Sequence, residues 1–231
     1  MSARLPGADR PHEGTVTVVF DLDGVLTHHD TFGALVRAQL MRARWRLLLS
    51  LPVVAAFALS ARLPRVRARL SRSLVRIALL GRTEEWFTGY AERFGAELAR
   101  TPGWVVHDAV RRIRDHQERG DLVAVATATD RGLAAALLRA IGVRDVVLVA
   151  SGVRTGRLGL GLAPHNHGRR KPGALVRAGA APPWDVVYTD SLADLPLLRG
   201  ARRAVLVNAT RATRSRAARR LGRPVETAEW S

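Results

Sequence analysis

The chain contains no cysteine. Disulfides and thiolate metal centres are therefore excluded, and nothing argues for an oxidising compartment. It is also nearly devoid of lysine: of its 37 basic residues, all but Lys171 are arginine. Negative charge is missing over one long stretch. Residues 31–83 hold eleven arginines and no Asp or Glu, so this block supplies +11 of the net +17. The rest of the chain has the balance of an ordinary domain, which makes the excess charge a property of one segment. Long apolar runs are absent as well, apart from residues 47–61, fifteen uncharged positions interrupted by Pro52. A bilayer core needs about 20 residues, so this run is too short to cross one. The opening MSARLPGADRPHEG has no apolar core of a signal peptide. The expectation is a cytoplasmic protein, or one held at the cytoplasmic face of the inner membrane.

What is present is enough for a core: 231 residues, 47% of them hydrophobic. Short apolar runs at 15–20, 122–127, 145–150, 185–189 and 203–208 read as buried strands. Amphipathic segments lie between them. Residues 104–120 place Val105, Ala109, Ile113 and His116 on one face and end at a glycine. Residues 130–143 start at an Asp cap and stop at Gly142. Strands alternating with helices predict an α/β fold with a parallel sheet covered on both sides. Residues 31–100 break the alternation. They read as helices only: one after Asp30, the apolar run at 47–61, a stripe of Leu63, Val66, Leu70, Leu74 and Ile77, and a helix over 84–99 with acids in its first turn. The expected division is a core of 1–30 and 101–231 with a basic, apolar helical insertion of 31–100. The basic tail near 211–224 reads as a surface helix.

In open parallel sheets the chemistry gathers at the carboxyl ends of the strands. Asp21 and Asp23 follow the first strand. Thr127 ends the second, with Thr129 just beyond. Asp190 and Asp194 follow the strand at 185–189, and Lys171 precedes that strand. Several carboxylates, a hydroxyl and one amine thus converge on one rim. Such a cluster repels itself unless a hard divalent cation joins it, and an all-oxygen donor set suits Mg²⁺. Two aspartates spaced by two, with Gly24 letting the chain turn, allow one carboxylate to attack phosphorus while the other serves the leaving oxygen.

VVFDLDGVLT, VAVAT, Lys171 and YTDSLADLPLL, in that order, resemble the four motifs of the haloacid dehalogenase superfamily of phosphotransferases. The resemblance spans residues 15–208. It implies a Rossmann-like sheet with an inserted α-helical cap of the C1 type, as in phosphoserine phosphatases. It also implies roles. Asp21 is the nucleophile that becomes an aspartyl-phosphate, and Asp23 the general acid and base. Mg²⁺ is held by Asp21, the Asp23 carbonyl and Asp190, with Asp194 acting directly or through water. Thr127 binds a phosphoryl oxygen, and Lys171 neutralises charge on the phosphate and on Asp21. A compact ammonium suits that crowded place better than a planar fork. Asp30 and Thr129 are further substrate-binding candidates. Within the superfamily, DLDGVLTHHDTF and the apolar, basic cap are similar to the bacterial phosphatidylglycerophosphatase C group. That resemblance implies a phosphorylated lipid as substrate and an anionic membrane surface as partner; a small soluble phosphomonoester is the alternative.

Three points stay open in the sequence. Residues 47–61 are either the buried centre of the cap or a segment lying on an anionic leaflet with flanking arginines at the headgroups. Asp30 is either a substrate contact or only a helix cap. His28 and His29 sit at the entrance or on an exposed hinge. His165, Asn166 and His167 spell a nuclease-like triplet without the ββα context of one, so nucleic acid is not the expected partner. A cationic binding module with an inactive site is the remaining functional class, and the intact Asp21, Asp23, Thr127, Lys171 and Asp190 set argues against it.

Overall fold

The computed structural model describes residues 16–61, 63–156, 159–162 and 168–231. The N-terminal stretch and the candidates His165 and Asn166 lie outside the described residues. Six strands pair into one sheet: β1 (Thr17–Phe20), β2 (Leu122–Asp130), β3 (Val147–Ser151), β6 (Trp184–Thr189), β7 (Ala201–Val207) and β8 (Glu226–Ala228). Their order is β3-β2-β1-β6-β7-β8. Every neighbouring pair is parallel. The order reverses at β1, which lies between β2 and β6, and that reversal opens the crevice where ligands of such sheets bind.

The unbroken apolar runs have a physical reason: both faces of the sheet are covered. On one face, Val18, Phe20, Val123 and Val125 pack with Ala109 and Ile113 of α5 (His107–Glu118) and Leu137 of α6 (Arg131–Ala140). On the other, Val19, Ala124 and Ala126 meet Leu175 of α7 (Lys171–Arg177), Leu198 of α8 (Leu195–Gly200) and Ala217 of α9 (Arg211–Leu221). The first face also buries His116, whose Nδ1 is 2.7 Å from Asp121 and whose Nε2 is 3.3 Å from the Tyr188 hydroxyl.

The segment between β1 and α5 is helical as expected: α1 (Thr31–Met41), α2 (Arg44–Leu59), α3 (Pro64–Ala78) and α4 (Glu84–Leu98). Asp30 caps α1, accepting the Gly33 amide at 2.8 Å, and Thr83 caps α4, accepting that of Trp86 at 3.2 Å. A separate core of Leu35, Val36, Val75, Leu79, Phe87 and Tyr90 holds α1, α3 and α4 together and reaches Leu133 of α6. The joint to the sheet domain is α4. Its Leu98 belongs to the sheet core, and a side chain on Gly95 would stand 2.5 Å from the Leu133 carbonyl. The two helix backbones touch there because Gly95 has no Cβ.

One open point closes and two features depart from the sequence reading. First, of the two readings left for residues 47–61, the buried centre is excluded for α2. Only Arg46 and Ser50 of its residues are buried, and Leu48, Leu51 and Val54 are 66%, 52% and 44% exposed. The helix runs through Pro52. Second, the α3 stripe is covered only in its later half: Leu63 and Val66 are exposed, while Leu74 and Ile77 are half-buried against the helical core and their neighbours Val75 and Ala78 are fully covered. Over the first turns α2 supplies a partial cover, with the Arg67 guanidinium 4.0 Å from the centre of the Phe57 ring. Third, a hairpin of β4 (Val153–Gly156) and β5 (Gly159–Leu162) and the short edge strand β8 went unread. Glycines in the hairpin hide its alternation, although Leu160 joins the cap core. Among the described residues no helix is long and apolar enough to cross a membrane.

Candidate active site

The Asp21 backbone continues the β1 ladder, its amide donating to the Tyr188 carbonyl at 2.9 Å. The chain then folds back sharply. The amides of Leu26 and Thr27 both donate to the Leu22 carbonyl, at 2.8 and 3.0 Å, and the Gly24 amide donates to the Thr27 carbonyl at 2.8 Å. Gly24 has φ +80°, and a Cβ on it would lie 2.2 Å from Oδ2 of Asp190. A glycine is therefore required twice over, for the turn and for the approach of Asp190 to the β1 loop.

Lys171 starts α7 and is 3% exposed. Its Nζ lies 2.9 Å from Oδ1 of Asp21 and 2.7 Å from Oδ2 of Asp194. The same Asp194 oxygen accepts from the Thr189 hydroxyl at 3.0 Å. Asp194 thus spends one oxygen on holding Lys171 rather than facing open space. Asp23 is held separately. Its Oδ1 accepts the amide and the hydroxyl of Thr31, both at 2.8 Å, and its Oδ2 accepts the Thr129 hydroxyl at 2.7 Å. The Thr31 and Thr129 hydroxyls are 2.9 Å apart. Thr127 is fully buried, and its Oγ1 accepts the Thr129 amide at 3.0 Å, which leaves its own proton to donate.

The structure brings together Asp21, Asp23, Thr127, Thr129, Lys171, Asp190 and Asp194. Thr129 turns its hydroxyl to Asp23 and Thr31 and so supports that carboxylate. Asp30 is exposed and capped onto α1, the simpler of its two readings. His28 and His29 are exposed, with His29 edge-on to Trp104 at 5.1 Å. Two further hydroxyls take part, Thr31 and Thr189. Thr31 stands where the sequence shows only a helix beginning after Asp30, and Thr189 where it shows only the end of a strand, although a hydroxyl beside Asp190 is a signal.

Burial raises the proton affinity of the acids. For Asp21 it drives the carboxyl well above its usual range; Lys171 opposes this, and Asp194 and Asp23 add to it. Asp23 is raised by burial against the pull of its Thr31 and Thr129 bonds. Asp190 is pushed up to about 6, first by burial. For Lys171, burial works against the ammonium, but Asp21 and Asp194 outweigh it and the group is held above its usual range. One ammonium faces four carboxylates, so the site has a charge deficit that a hard divalent cation would fill. Among the described residues no three acidic or histidine side chains group closely enough to hold a metal by themselves. The donor set expected from the sequence needs only two carboxylates, Asp21 and Asp190, plus the Asp23 carbonyl. The cradle at Gly24, which brings Asp190 to that loop, fits such a set.

The haloacid dehalogenase-like hydrolase profile matches residues 18–199. No curated protein matches the sequence at a significant level. Several solved structures share the fold. A protein of unknown function from Bordetella pertussis Tohama I superposes with a TM-score of 0.59 at 22% identity, over 92% of this chain and 98% of its own. Cytosolic 5′-nucleotidase IIIB bound to cytidine gives 0.61 at 12% identity, covering 93% of this chain and 79% of the other. A phospho-aspartyl intermediate analogue of phosphoserine phosphatase gives 0.56 at 14%, covering 93% and 95%.

Proposed function

Because this chain belongs to the haloacid dehalogenase-like hydrolase family, we propose that it is a Mg²⁺-dependent phosphomonoesterase working through an aspartyl-phosphate. The observation that carries this reading is the contact of Lys171 Nζ with Asp21 Oδ1 at 2.9 Å, two residues before a separately held Asp23. Asp21 attacks phosphorus, and the bond to the leaving oxygen breaks. Asp23, whose raised proton affinity keeps it protonated more readily than a free aspartate, gives its proton to that oxygen. Asp23 then takes a proton from water as the water attacks the phosphorus of the aspartyl-phosphate. Phosphate leaves and the Asp21 carboxylate returns. Lys171 and the Thr127 hydroxyl bind phosphoryl oxygens throughout. A bound Mg²⁺, held by Asp21, the Asp23 carbonyl and Asp190, would supply charge neutralisation at the phosphoryl group.

The substrate we propose is a phosphorylated lipid headgroup such as phosphatidylglycerophosphate, met at an anionic membrane surface. The exposed apolar face of α2, with Leu48 at 66% and Leu59 at 87% exposure, supports it. Arg42 and Arg44 precede this face and the arginines of α3 follow it. The test is Mg²⁺-dependent phosphate release from phosphatidylglycerophosphate in mixed micelles beside soluble phosphomonoesters, with Asp21→Asn as the blank. Turnover of the lipid well above the soluble panel is expected. Turnover confined to soluble esters, phosphoserine among them, would make the cap a lid over a small-metabolite site. Silence on both, in a folded protein, would refute the phosphatase reading.

A further inference from the structure

Among the described residues, two buried or half-buried guanidinium groups of the helical segment have no carboxylate partner. Arg46, near the start of α2, is 5% exposed. Its Nη2 donates to the Leu80 carbonyl at 2.8 Å. Its Nε and Nη1 are buried with no hydrogen-bond partner among the described residues. Arg82, two residues beyond Leu80, is half-buried, and its Nε is likewise buried and unpartnered. Each plate is steadied by an aromatic ring: Arg46 sits 4.9 Å from the centre of Trp45, and Arg82 4.0 Å from that of Trp86. Burial lowers the proton affinity of Arg46, and the charge of Arg82 lowers it further.

No acidic side chain among the described residues offsets these charges. Neither arginine belongs to an ion pair among the described residues. No residue from 31 to 83 is acidic. The next acid in sequence, Glu84, is committed elsewhere: its Oε1 accepts the amide and hydroxyl of Thr155 at 2.8 and 2.7 Å. Buried charges in folded proteins are paired. Two neighbouring guanidiniums without a carboxylate present forked N–H donors that match the oxygens of a phosphate. A phosphate monoester carries roughly two charges near neutrality, where a carboxylate carries one.

We infer that Arg46 and Arg82 form an anion site in the cap that takes a phosphate group, made of residues none of which belongs to the Asp21–Lys171 centre. The phosphate is either free or part of a lipid headgroup lying over α2. This inference does not rest on the catalytic reading, and either can fail alone.

The test uses the full chain without divalent cation and four proteins: wild type, Arg46→Met, Arg82→Met and Arg72→Met. The last removes one charge from the exposed face of α3 and controls for net charge. One arm titrates inorganic phosphate calorimetrically. The other measures co-sedimentation with phosphatidylcholine vesicles with and without phosphatidic acid. A free-phosphate site predicts one equivalent bound by wild type and Arg72→Met, and binding at least about tenfold weaker in Arg46→Met and Arg82→Met. A lipid site predicts the same contrast confined to phosphatidic acid vesicles. Equal behaviour of Arg46→Met, Arg82→Met and Arg72→Met in both arms overturns the inference. Melting of each protein in phosphate-free buffer reports folding. Should Arg46→Met fail to fold, the half-buried Arg82→Met decides. Turnover of a chromogenic phosphomonoester with Mg²⁺, measured on the same samples, reports the catalytic centre separately.

Discussion

Lys171 is buried between two carboxylates at 2.9 and 2.7 Å, and this geometry is selective. An ammonium is compact and can point its protons at both acids and at a phosphoryl oxygen. A guanidinium is wider and planar, and at 3% exposure it has no room to turn. Lys171→Arg is therefore expected to lower kcat by roughly 10²-fold while the fold persists. Near-full activity of this variant in a steady-state assay would end the special role of the ammonium. The acids of the site make a second prediction, about pH. Asp190 is raised from 3.8 to about 6, chiefly by burial. The folded protein thus holds this proton more tightly than the unfolded chain does. The stability that follows is intact below the unfolded value and is lost as pH rises through about 6. With metal chelated, Asp190→Asn is expected to stabilise the protein at pH 7.5 by up to about 3 kcal/mol, and by much less at pH 4.5. Urea denaturation at the two values checks this; an equal effect at both would refute it.

The carboxylates that gather at the site, Asp21, Asp23, Asp190 and Asp194, were legible because each follows a strand, and strand ends of parallel sheets point to one rim. Thr31 and Thr189 were not legible, for a physical reason. Their hydroxyls act on carboxylates five or more positions away in sequence, Thr31 on Asp23 and Thr189 on Asp194. No periodicity or motif marks a contact of that kind.

Elements tell the same story at larger size. Long amphipathic helices and buried strands were readable, because one period runs through each. The β4–β5 hairpin was not, since its glycines carry no side chain to alternate. The fate of α2 was not readable either. An apolar run has the same sequence whether the cap or a membrane covers it, and only the packing decides. Because Leu48 and Leu51 are 66% and 52% exposed, replacing both by Gln should shift folding stability by no more than about 0.5 kcal/mol each. The same change should weaken co-sedimentation with anionic vesicles at least about tenfold, by removing the apolar anchor. A folded double variant that binds vesicles like the wild type would exclude α2 from the surface. The α4–α6 joint behaves in the opposite way. Gly95→Ala gains helix propensity of about 1 kcal/mol. The new Cβ, however, meets the Leu133 carbonyl at 2.5 Å and the Leu137 amide at 3.1 Å. Backbone cannot yield as a side chain can, so a net loss of roughly 1–2 kcal/mol is expected in chemical denaturation.

For the molecule as a whole, the charge map and the fold divide the labour. The excess of +17 is concentrated in a block without acids, and that block is the α1–α3 part of the cap. The sheet domain supplies the carboxylates. A cationic surface carrying an apolar helix should bind anionic vesicles in a salt-dependent way, because exposed charges are screened beyond about 8 Å at physiological ionic strength. Raising salt from 0.05 to roughly 0.5 M should weaken binding without abolishing it, since the apolar term remains. Complete release would mean that charge alone holds the protein there. The parallel order of the sheet was legible at this scale, because alternation of strand and helix leaves few topologies. The closeness of cap and core at Gly95 was not, since it depends on a contact between residues 95 and 133 that the sequence does not announce.

Thr31 is at once the first residue of α1 and a double donor to Asp23. The start of α1 and the seat of Asp23 are therefore one joint. Any displacement that carried Thr31 away would strip Asp23 of two of these three donors and leave the Thr129 hydroxyl alone on it. The setting of the helical segment is thereby written into the setting of a carboxylate at the sheet's rim.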